Sequence, residues 1–180
     1  MNKIDINIFS LIIFIVILIT PLHAADVSEE ELIEFRVTLY TEKERIPLDK
    51  LLTFDGNPYD NSELSGSYVL LNFWATWCPF CREEMPSKQR LYDNYTSGWF
   101  TLLTVSVGEE VNTITGYMNE NGFIQPVILD PVNELKEIYA PRIPTSYVLS
   151  PDGYIIARIN GYKEWDSERA LRILRFLIPN

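Results

Sequence analysis

Tyr68-Val-Leu-Leu-Asn-Phe-Trp-Ala-Thr-Trp-Cys78-Pro-Phe-Cys81 is the stretch from which the rest of the chain can be read. Tyr68 to Phe73 is apolar at nearly every position, the pattern of a strand buried on both faces. Pro79 suits the first position of a helix, where its missing N–H is not needed. The helix predicted from Pro79 to about Tyr95 contains Pro86, which removes one internal hydrogen bond and favours a kink. A strand feeding a helix at this point puts Cys78 at the helix N-terminus, where the positive end of the dipole stabilises a thiolate. Cys81 lies one turn on, within reach of the first sulfur. This spacing suits attack by Cys78 on a disulfide and resolution of the mixed disulfide by Cys81. These are the only two cysteines of the chain. We read them as a working pair and not as a staple, because so short a loop restrains little of the unfolded chain.

Outward from this stretch, the periodicity predicts a βαβ unit followed by an αββα unit. Phe100 to Val107 reads as a strand and Val111 to Asn121 as a helix stopped by Gly122. Val127 to Leu129 reads as a short strand and Val132 to Tyr139 as a short helix. Thr145 to Leu149 and Tyr154 to Ile159 flank Ser150-Pro-Asp-Gly153, the turn of a β-hairpin. A last helix begins at Asp166 or Ser167. Leu171, Leu174 and Leu177 form its core stripe, and Arg169, Arg172 and Arg175 read as a solvated face. Upstream, Leu51 to Phe54, Asp55-Gly56-Asn57 and Pro58-Tyr59 predict another hairpin turn, and Ser28 with Glu31 fits a helix cap. The expected fold is α/β, a central mixed sheet flanked by helices.

Residues 1–25 read as a signal peptide or membrane anchor, 26–50 as an extension and 51–180 as the folded domain. The leader has Lys3, an apolar run from Ile8 to Ile19 that is shorter than the roughly 20 residues spanning a bilayer, and a break at Thr20-Pro21. Cleavage after Ala24 or Ala25 would release the protein outside the cytoplasm, in the periplasm. An uncleaved leader would tether it to the outer face of the cytoplasmic membrane. With 25 acidic against 15 basic residues the net charge is −10, which argues against nucleic acid and anionic bilayers as partners, since both select basic patches.

Asn72-Phe-Trp-Ala-Thr-Trp-Cys-Pro-Phe-Cys-Arg-Glu-Glu-Met-Pro86, with Ile143-Pro144-Thr145, Val107-Gly108-Glu109, Gly161 and Trp165, resembles the TlpA/ResA-like thiol-disulfide oxidoreductases of the exported thioredoxin family. The resemblance runs from about Leu51 to Leu177. It implies a thioredoxin fold with an added N-terminal hairpin and a redox-active disulfide between Cys78 and Cys81. It also implies a cis-proline loop at Pro144, in preference to Pro141, whose neighbours Ile143 and Thr145 meet the substrate together with Trp77, Pro79 and Phe80. Asn72 stands where cytoplasmic thioredoxins carry a proton-shuttling Asp, and the resemblance passes that role to a glutamate after the next strand. Glu109 fits, with Glu110 beside it as the competing choice. Trp74 reads as core.

The resemblance further implies a reductant that delivers electrons to apocytochrome c or to copper-site cysteines and is itself re-reduced by a membrane thiol relay. No His lies between the cysteines, unlike in strongly oxidising relatives, and this favours reductase over oxidase or isomerase. No cofactor or resident metal is expected. A metal carrier would want histidines or more cysteines, and the sole histidine, His23, lies in the leader. Haem attachment would need His after Cys81, where Arg82 stands. A peroxidase would need a lone peroxidatic thiol, and a chaperone-type binding module would not need the cysteines.

Overall fold

The computed structural model describes residues 27–97 and 100–178, so the leader read at residues 1–25 lies outside the described residues. The elements are α1 (Glu29–Glu34), β1 (Val37–Leu39), β2 (Tyr68–Trp74), α2 (Pro79–Tyr95), β3 (Phe100–Val107), α3 (Val111–Asn121), β4 (Val127–Asp130), α4 (Glu134–Tyr139), β5 (Thr145–Leu149), β6 (Ile155–Asn160) and α5 (Glu168–Leu177). The strands form one mixed sheet in the order β1-β6-β5-β2-β3-β4. β2 lies at its centre, parallel to β3 and antiparallel to β5. The apolar run of β2 is explained by this position, since a central strand is covered on both faces. Alternate side chains go to opposite layers. Leu70 joins Leu102, Val148, Trp165 and Ile173 on one side, while Val69, Leu71 and Phe73 join Val105, Ile114 and Tyr147 on the other.

The predicted central elements are all present. α2 continues through Pro86, and α4 starts at Glu134, later than the expected Val132. The expected N-terminal hairpin is reduced to one antiparallel bridge, Leu52 with Pro58, and Leu52 also bridges to Leu129 on β4. The more substantial N-terminal addition lies upstream. Ser28 caps α1 by accepting the Glu31 N–H at 3.1 Å. β1 then adds to the sheet edge through pairing of Val37 with Ile159 and Leu39 with Ala157.

Two details of α5 depart from expectation. Ala170, Ile173, Leu174 and Leu177 are its buried residues, with Leu171 only half-buried at the margin. Arg169 and Arg172 are not simply solvated: Arg169 pairs with Glu34 at 2.8 Å, and Arg172 pairs with Glu31. The Arg169–Glu34 pair is exposed and contributes at most about 1 kcal/mol, while the Arg172–Glu31 pair is half-buried. Burial of Leu32 and Phe35, about 1.5–3 kcal/mol apiece, is the larger reason that α1 stays on the domain.

Candidate active site

The end of β2 delivers Cys78 to the N-cap of α2, where its Sγ accepts the Cys81 N–H at 3.3 Å. The two cysteines form a disulfide, with Cα atoms 5.2 Å apart. Cys78 retains 4% exposure and Cys81 none. What little exposure the pair retains therefore lies on Cys78. Around this small opening Trp77 is 63% and Phe80 60% exposed, while Trp74 is fully buried in the core as expected. Pro79 occupies the first helical turn and is also exposed.

The second wall of the opening is the turn before β5. The cis peptide bond is Ile143–Pro144, as the resemblance implied. Ile143 O lies 3.8 Å from Cys78 Sγ. Thr145 Oγ1 donates to Arg142 O at 2.7 Å, and Gly161 N–H donates to Pro144 O at 2.9 Å, which fixes the turn from both sides. Among the described residues no acceptor meets the Ile143 N–H.

Of the two candidate acids, Glu109 points into the site and Glu110 is exposed at the start of α3. Glu109 is placed by a tight turn at Gly108, whose φ of +65° and close approach to the Asn133 side chain both suit a residue without a Cβ. Its carboxylate accepts the Thr76 N–H at 2.9 Å, the Ser106 hydroxyl at 2.8 Å and the Thr76 hydroxyl. Glu109 thus braces the loop that carries Trp77 and Cys78, a function not anticipated from the sequence, and Thr76 is its unforeseen partner.

A second, sealed group of polar side chains lies one turn beyond Cys81. Glu84 and Lys88, both fully buried, pair at 3.0 Å. Lys88 Nζ also donates to Asn72 Oδ1 at 2.6 Å. Asn72 Nδ2 donates to Glu84 Oε1 at 3.1 Å and to Ser146 Oγ at 2.8 Å, and the Lys163 N–H donates to Glu84 Oε2 at 3.1 Å. Burial pulls the Lys88 ammonium below the usual lysine range, and Glu84 beside it acts in the opposite direction. One network therefore ties the strand before the cysteines, the helix after them, the strand after the cis-proline and the loop before α5. The sequence reading missed Glu84 and Lys88. Their signal was their phase: Cys81, Glu84, Met85, Lys88 and Leu91 fall on a single helical stripe.

A model described as the AhpC/TSA family matches residues 43–158. The chain belongs to the AhpC/TSA family. Among curated proteins, it is similar to the thiol-disulfide oxidoreductase ResA of Bacillus subtilis, 31% identical over 108 residues that make up 59% of this chain and 60% of that one. It is also similar to the sporulation thiol-disulfide oxidoreductase A of the same species, 35% identical over 113 residues, 57% of this chain and 68% of the relative. The solved structure of StoA from Bacillus subtilis is 27% identical, with a TM-score of 0.53 over 71% of this chain and 89% of that one. A thioredoxin-family thiol:disulfide interchange protein from Chlorobium tepidum is 26% identical, with a TM-score of 0.59 over 77% and 99%. The TlpA/ResA-like resemblance and the thioredoxin fold both hold. Within the AhpC/TSA family this chain is a thiol-disulfide oxidoreductase, with Cys78 and Cys81 at bonding distance.

Proposed function

We propose that this protein reduces disulfides in client proteins outside the cytoplasm. The observation that carries the reading is the asymmetry of the pair: Cys78 borders solvent beside a cis-proline turn, and Cys81 is sealed behind it. In the reduced protein the Cys78 thiolate attacks one sulfur of the client disulfide. A Cys78–client bond forms, and the client's other sulfur leaves as a thiolate. Cys81 loses its proton and attacks Cys78 Sγ, which closes the Cys78–Cys81 bond and releases the second client thiol. Two electrons pass to the client. The client lies extended against Ile143, whose N–H pairs with its backbone in the manner of an added strand, and Trp77, Pro79, Phe80 and Thr145 form the surrounding contact surface. Glu109 accepts the Cys81 proton, since Asn72 cannot.

The clients that fit the family resemblance are apocytochrome c or copper-site cysteines. A membrane thiol relay restores the dithiol, and the leader exports the protein or tethers it to the membrane. Equilibration with glutathione tests the direction. The expected potential is nearer the roughly −270 mV of thioredoxin than the roughly −120 mV of DsbA, and a value above about −160 mV overturns the reductase reading. Cys81→Ser is expected to trap clients as mixed disulfides on Cys78, and mass spectrometry of the trapped species then identifies them.

A further inference from the structure

A groove of about 920 Å³ leads away from Phe80 and the Ile143–Pro144 turn, running between α1, the end of β6 and the loop before α5. Its charge is opposite to that of the molecule. The chain as a whole carries ten more acidic than basic residues, yet this groove is lined by Arg36, Arg142, Arg158, Lys163 and Arg169, against Glu34 and Glu164 as the acidic lining among the described residues. Both carboxylates are already engaged. Glu34 pairs with Arg169 at 2.8 Å, and Glu164 pairs with Arg90, outside the groove, at 2.7 Å. Among the described residues no carboxylate forms an ion pair with Arg36, Arg142 or Arg158. Arg158 Nε is buried with no acceptor. Arg142 is exposed, lines the groove and directly precedes Ile143.

We infer that this groove selects client segments with acidic residues flanking the reactive cysteine. The inference rests on the oxidoreductase reading of Cys78 and adds a client class to it. An aromatic rim at Trp77 and Phe80 takes the apolar residues next to the client cysteine, and the arginines beyond it take Asp or Glu farther along the extended segment. The whole-molecule field acts the other way, because a net charge of −10 repels acidic peptides at long range. The two ideas thus predict opposite preferences.

The test uses the reduced full-length protein with two otherwise identical peptides, each a symmetric disulfide dimer, whose cysteine is flanked by Asp in one and by Lys in the other. Oxidation of Cys78–Cys81 is followed by stopped flow. Hydroxyethyl disulfide, which is small and uncharged, serves as the third substrate. The expected result is an Asp-to-Lys rate ratio of about 10 at low salt, falling towards 1 in 0.5 M NaCl as the charges are screened. Arg142→Glu and Arg36→Glu should each lower that ratio. Equal rates, a Lys preference, or a ratio unmoved by both variants overturns the inference. If hydroxyethyl disulfide itself goes unreduced, the redox reading of the pair has failed, and the charge preference falls with it.

Discussion

Trp77 and Phe80 stand out into solvent at the start of α2, whereas Asn72, Glu84, Lys88 and Ser146, close by on the same helix and on the strands beside it, are sealed from water. Packing energetics alone would favour the reverse arrangement. An exposed aromatic gives up the burial it could have had, and a buried ion pair recovers its desolvation penalty only through well-made hydrogen bonds. Both departures occur at the end of the sheet that holds the disulfide. Under the proposed function, the outer one is the surface that meets a client protein. The inner one lies one helical turn beyond Cys81, which has no exposed surface.

The inner region can be broken most severely. Lys88→Met leaves the Glu84 carboxylate buried without its cation, and a loss of about 3–5 kcal/mol is expected from urea denaturation. Joint replacement of Glu84 and Lys88 by Gln and Met should recover most of it. A single variant as stable as the parent would show that the pair is not ionised in the fold. Next comes the brace between the regions. Glu109→Gln should slow exchange with a model disulfide by about 10²-fold while leaving the protein folded. If Glu110→Gln is the slow variant, or neither is, Glu109 only holds the loop. On the outer side, Trp77→Ala should change stability by less than about 0.5 kcal/mol and still slow mixed-disulfide formation with an unfolded client; an unchanged rate would remove Trp77 from the contact surface.

A pH dependence is expected at Lys163, which lines the groove beside Phe80 and donates its N–H to Glu84. Burial pushes its ammonium down to about 8, against about 10.4 for an unfolded lysine. Below pH 8 both states are protonated and the folded state bears the full penalty. Between about 8 and 10.4 the unfolded chain binds more protons, so this residue's contribution to stability rises with pH. Wild type should therefore gain on Lys163→Met across that window. Parallel denaturation curves would refute the assignment.

The outer region was legible in the sequence because its chemistry uses rare residues at fixed spacing: two cysteines, a proline at the helix start and a proline before an apolar strand. The central strands were legible because burial on both faces requires an unbroken apolar run. β1 was not, since a three-residue edge strand shows no period. Arg169 and Arg172 read as solvated because nothing in α5 announces that Glu31 and Glu34 arrive from more than a hundred residues upstream. Glu84 and Lys88 were missed because charged residues are almost never fully buried unless paired, and although their i,i+4 spacing is visible, the Asn72 that hydrogen-bonds both comes from another element.

The enclosure of Lys88 also gives the protein an internal timer. Its amine, with no exposed surface, meets an acylating reagent only when α2 lifts from the sheet, whereas the amine of Lys50, about half exposed, meets it at once. The lag between the two labels measures how often this core opens. Following it in oxidised and reduced protein would show whether closing one sulfur–sulfur bond at the start of α2 quietens the layer beyond it.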